Sequence, residues 1–175
     1  MPFTPFHMGP GLALKAIGGR HFSLTMFGVT QVAMDIEPLV HMLSGDDILH
    51  GYTHSYAGAT LIALAALTLG RPFCWMALAY WNRVATLRFL RWFRVSTEIG
   101  RIPALTGAFL GAYSHVFLDS FMHADMRPWW PFGADNGLLH AIPLGWLHLL
   151  CLGSGLVGGM ILVTVFAWNK IAIKV

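Results

Sequence analysis

The few charges of this chain lie between or at the ends of four apolar segments, residues 22–37, 55–70, 102–122 and 144–168, and that placement constrains the fold most. A helix needs roughly 20 residues at about 1.5 Å each to cross hydrocarbon. The first two segments are short for this and are expected to tilt little or to thin the bilayer. Pro38 and Pro72 are expected to close them. A fifth piece, residues 8–17, ends at Gly18-Gly19 and reads as a re-entrant or partial helix. Only 11% of residues are charged and 56% are hydrophobic, with a mean hydropathy of +0.61; a soluble domain carries roughly a quarter charged. Disorder, a disulfide scaffold and a nucleic-acid-binding domain are poor fits. Cys74 and Cys151 sit in apolar runs without metal or redox spacing and read as packing residues.

Residues 73–101 differ in character. Arg83, Arg88, Arg91 and Arg94 alternate with Leu87, Leu90, Trp92 and Phe93, an expected amphipathic basic helix on an anionic membrane surface; a plain basic loop is the alternative. With this stretch in the cytoplasm and each long segment crossing once, all but Arg127 of the 11 basic residues fall inside. All but Glu98 of the 8 acids fall toward the other side. Lys and Arg in short loops set orientation. The N-terminus lacks a charged n-region, so insertion is expected to use the internal segments.

The clustered acids need another cause, because they carry no topology signal. They share the non-cytoplasmic half with His41, His50, His54, His115, His123, His140 and His148. His115 and Asp119 are four apart and share a helix face; stepping back by fours gives Gly111 and Gly107, which let a neighbouring helix approach closely. Ionisable groups inside a span are costly enough to point to function, although a buried His–Asp hydrogen bond between helices would use the same pair. His50 and His54 bracket the start of the second segment, where Thr53 or Ser55 is the expected N-cap. Asp35 and Glu37 close the first segment, where acids oppose the helix dipole and a bound cation would supply their reason. His7 reaches the same side if the N-terminus is outside. His, Asp and Glu without thiolates suit Zn²⁺ best, with Mn²⁺ or Fe²⁺ as alternatives.

Asp35-Ile36-Glu37, the run from His50 through Thr53-His54-Ser55, and Ser114-His115 with Asp119 occur in that order. The arrangement resembles a bacterial and archaeal family of inner-membrane metal-dependent hydrolases, some described as LexA-binding. Its pattern is Asp-x-Asp-His, His-Arg-Gly-x-Thr-His-Ser and Ser-His-x-x-x-Asp. Here Glu37-Pro38 replaces the Asp-His ending, and the His50 run lacks the Arg and is one residue shorter. More distantly the order resembles the zinc-dependent phospholipase C and single-strand nuclease superfamily. The resemblance implies a metal site more firmly than a reaction.

The expectation is therefore an all-α integral membrane bundle forming a single domain over residues 1–175. It would have about four long spans, a short N-terminal partial helix and a basic interfacial helix. His7, Asp35, His54, His115 and Asp119 are the expected metal ligands, with Glu37 or His50 as general base. A metal would bring the pKa of water to about 7 and polarise a phosphoester, lipid-like by the site's position among membrane lipids. A non-enzymatic membrane subunit with a structural metal is the alternative. A haem carrier using His54 with His115 or His148 is the other. Trp129-Trp130-Pro131-Phe132 reads as an aromatic belt or as the lining of a headgroup pocket. Gly155 and Gly159 read as helix packing. His148 is either a core histidine or a group supporting the ligands, and His123 and His140 are loop histidines or late-added ligands. His21 and His41 are assigned to interface or loop positions.

Overall fold

The computed structural model describes residues 5–85 and 94–172, and among these the only regular structure is helical. A single turn at Pro5–His7 leads into α1 (Met8–Gly18). Gly19, at φ 49°, reverses the chain in a conformation open to glycine. Ser23 then caps α2 (Leu24–Met34), its hydroxyl accepting the Met26 N–H at 3.2 Å.

The chain bends at Asp35 and continues as α3 (Ile36–Ser44). This corrects the expectation for 22–37. α1 and α2 have 11 residues each, about 16 Å at helical rise and half of a hydrocarbon core, so they form a short hairpin and neither crosses. Pro38 sits in the first turn of α3, where its missing N–H costs nothing. Glu37 shares that turn and the favourable end of the dipole.

Ser55 caps α4 (Tyr56–Ala65), accepting the Gly58 N–H at 3.0 Å. α4 does not stop before Pro72. A wider turn over Ala66–Gly70, bonding one residue further along, joins it to α5 (Arg71–Val84). Such a turn absorbs the clash and missing donor of a proline. Residues 73–84 thus extend a membrane-length helix rather than start a surface one. Arg88, Arg91 and the remainder of 86–93 lie outside the described residues, as does Lys174.

α6 (Arg101–Met122) is the axis of the bundle, packed on α2 and α4. Its Ala104, Ala108, Ala112 and Val116 meet Met26 and Met34 of α2 and Ala59 and Ala63 of α4. A Cβ at Gly107 or Gly111 would overlap Ser23, or Thr30 and the Phe27 backbone, so the glycine stripe is where α2 closes in. α7 (Leu144–Ala172) packs on α1. The close approaches there are Gly155 on Gly9 and Gly158 on Leu12-Ala13; Gly159 faces open space, against the expectation for that residue. Cys74 and Cys151 are free and buried.

Among the described residues two helices are long and apolar enough to cross a membrane, Tyr56–Val84 and Leu144–Asn169, with mean hydropathies of 1.7 and 2.2. Only 17% and 11% of those windows is buried, the reverse of a soluble core helix. α6 has the length but lies in the centre. Lys15 and Arg20 at the hairpin turn, Arg71 and Arg101 gather at the end of α6 where Ser23 N–H bonds Pro103 C=O at 3.1 Å. The ionisable cluster lies at the other end.

Candidate metal centre

Four elements deliver five side chains to the cluster. His115 and Asp119 come from adjacent turns of one face of α6, with Nε2 and Oδ2 3.0 Å apart. Asp35 sits at the α2–α3 bend, 3.5 Å from His115 Nε2. His54 closes the turn before α4, 3.7 Å from Asp119 Oδ2. His7 enters from the N-terminal turn, 3.4 Å from Asp119 Oδ1. The structure thus brings together all five expected ligands, as the overlapping groups His7/His115/Asp119 and Asp35/His54/His115. His54 and His115 are wholly inaccessible, and Asp119 is 3% exposed.

The imidazoles are oriented from behind. His115 Nδ1 donates to Gln31 Oε1 at 2.6 Å. The Gln31 amide is fixed in turn, its NH₂ donating to Gly111 C=O at 3.0 Å and Ser114 Oγ at 3.2 Å. His54 Nδ1 faces Glu37 Oε2 at 3.5 Å, and that carboxylate also accepts the Thr53 N–H at 3.1 Å and the Thr53 hydroxyl. His50 Nδ1 donates to Asp125 at 2.9 Å. An Nδ1–H so engaged leaves the Nε2 lone pair free toward the centre, as in metal sites whose histidines are backed by carboxylate or carbonyl.

The donor set fits a divalent cation. His54 Nε2, His115 Nε2 and both His7 nitrogens are buried without a hydrogen-bond partner. His115 and Asp119 are in reach of each other yet lack hydrogen-bond geometry. Asp35 and Asp119 are buried carboxylates whose only ion-pair partners, among the described residues, are histidines. Uncompensated buried charge costs several kcal/mol, and unsatisfied ring nitrogens add to it. Burial pulls the His7 pKa down to about 4 against the opposing pull of Asp119, which keeps the ring neutral and able to ligate.

The candidate bases sit differently. Glu37 lies behind His54, on its Nδ1 side, turned away from Asp119. His50 is on the open flank, its ring 4.9 Å from His54 and 4.2 Å from His123. His50 and His54 are not on one helix; a loop and a single turn bring them together. Asp125 accepts the N–H groups of Leu49 and His50 as well as the ring, both amides at 2.9 Å. Burial raises the Asp125 pKa, but these bonds outweigh it and hold it at about 2. Burial lowers that of His50.

Sequence reasoning missed Gln31 and Asp125; His123, read as a loop histidine or a late-added ligand, follows α6 with its Nε2 4.0 Å from Asp119 Oδ1. Gln31 carried a readable signal, a polar side chain in an apolar segment one turn before Asp35. The other histidines stand apart. His148 stacks on Phe6 with centroids 4.7 Å apart, His41 Nδ1 meets Ile48 C=O at 2.9 Å, and His140 and His21 are exposed. No model of a known protein family matches the chain, and no curated protein or solved structure matches it either.

Proposed function

We propose that this chain is a membrane-embedded, metal-dependent hydrolase of phosphoester bonds, in keeping with the inner-membrane hydrolase family whose motifs it resembles. One observation carries the reading: partnerless Nε2 atoms of His7, His54 and His115 converge on Asp119, with orienting groups behind His54 and His115. His7, Asp35, His54, His115 and Asp119 hold the ion, Zn²⁺ by donor type. When bound, it supplies positive charge that polarises a phosphoryl oxygen and acidifies water. Asp125 fixes the His50 Nδ1–H tautomer, so Nε2 of this neutral ring accepts the proton. Gln31 and Glu37 position His115 and His54, and Glu37 is reassigned from base to positioning residue. His50, His123 and Asp125 form a further group, so the number of ions per chain is measured in the same experiment.

The long exposed helices support a place in a membrane. The gathering of Lys and Arg at the opposite end favours a site on the non-cytoplasmic side of an inner membrane. Asp135→Cys should then react with an impermeant thiol reagent from outside, and Arg101→Cys should not. The native cysteines are both buried. For the chemistry, metal-loaded protein is assayed on phospholipids and generic phosphodiesters. His50→Gln should lower kcat about 10²–10⁴-fold with the ion at the His115–Asp119 cluster retained. Glu37→Gln should instead weaken metal affinity about 10–100-fold. Full metal loading with no turnover across the panel would leave a structural metal in a membrane subunit.

A further inference from the structure

Arg127, an exposed side chain, is the one Lys or Arg among the described residues on the acidic end of the bundle. It lines a cleft of about 220 Å³ together with His50, Tyr52, Asp125 and Trp130. The acid nearest in sequence does not explain it. Both oxygens of Asp125 are engaged by the His50 ring and the Leu49 and His50 amides. Among the described residues the Arg127 guanidinium has no ion-pair partner.

The walls of the cleft say what would complete it. On one side stands the His50–Asp125 pair, so an occupant lies one imidazole away from the His54–Asp119 cluster. On the other, Tyr52 and Trp130 meet with ring centroids 4.5 Å apart. Tyr52 is 68% exposed and precedes the first membrane-length helix, at the level where aromatic side chains meet headgroups. A guanidinium fork matches the oxygens of a phosphate.

We propose that this cleft is a subsite for a phosphate oxyanion of the substrate, held by Arg127, with Tyr52 and Trp130 against its carbon frame. The assignment rests on the hydrolase reading and gives it a substrate class. The phosphate can belong to a lipid headgroup or to a soluble ester.

The test uses the full chain in uncharged detergent, with metal content measured first. Inorganic phosphate is titrated calorimetrically into wild type, Arg127→Gln and Arg127→Lys. Arg127→Gln should weaken phosphate binding about tenfold, the scale of one charged hydrogen-bond contact, with metal content and Tm unchanged. Arg127→Lys should fall between. Competition by short-chain phosphatidylglycerol, and none by glycerol phosphate, identifies a lipid source; the reverse identifies a soluble one. Absence of phosphate binding by wild type, or equal binding by Arg127→Gln, overturns the subsite. If wild type carries no metal the hydrolase reading fails, and the Arg127 dependence of phosphate binding still decides the subsite separately.

Discussion

α6 and α7 are both apolar stretches of bilayer length, and they do opposite work. α7 is covered along one stripe by α1, while Leu149, Leu150, Leu156 and Met160 are exposed. α6 is covered by α2 and α4. Its small residues draw those helices in at one end, and at the other it turns His115 and Asp119 into the space between them. Exposed leucine along a helix of this length suits a lipid cover. Buried ionisable groups on its neighbour call for a counter-charge. Length treats the two alike, hydropathy marks only α7 as apolar enough to cross, and the partner on each face gives the physical reason.

The largest effect should come from breaking the close approach on α6. Gly111→Leu drives a side chain into Thr30 and the Phe27 backbone, and the expected result is no folded protein in a detergent melt. The matched change on α7, Gly159→Leu, meets open space and should leave the fold intact. Equal losses would show that both helices are covered in the same way.

A smaller effect separates the cluster from its support. Gln31→Leu removes the acceptor of His115 Nδ1 and should lower metal affinity about 10–100-fold, measured by competition with a chelator of known affinity. His21→Ala, at the other end of the bundle, should leave it unchanged.

Acidification sharpens the comparison further. Burial holds His7 near 4 and pushes His50 and His123 below 6.5, so between those values the unfolded chain binds more protons than the folded one. The metal-free protein should lose Tm as pH falls through that window and stay level above it with respect to these groups. Thermal melts from pH 8 to 4 read this directly, and a Tm that rises on acidification would reverse the sign. The smallest effect is expected from Gly159→Ala, within about 1 kcal/mol and without change in bound metal.

Much of this contrast was legible in the residues. The starts of α6 and α7 and the end of α6 follow from apolar runs opening after Arg101 and Pro143, whereas α7 runs past the expected end at 168 to Ala172; the five clustered side chains stand out as ionisable groups in or beside apolar segments. Pro38 and Pro72 misled for one reason. A proline ends a helix only where no first turn or widened turn accommodates it, and hydrophobic periodicity is silent on that. The His50–Asp125 bond and the place of His123 depend on loops folding over the bundle, a long-range packing outcome with no period to read. Gln31 was readable as a polar side chain inside an apolar run, and it was passed over because the search for ligands followed ionisable groups alone.

The central claim is that the imidazole–carboxylate cluster around Asp119 holds a divalent metal, and elemental analysis of the purified chain tests it most directly. At least one equivalent of zinc, manganese or iron is expected in wild type, falling to background in both His115→Ala and Asp119→Ala. Metal-free wild type that does not take up these ions on reconstitution, or unchanged stoichiometry in both variants, would contradict it.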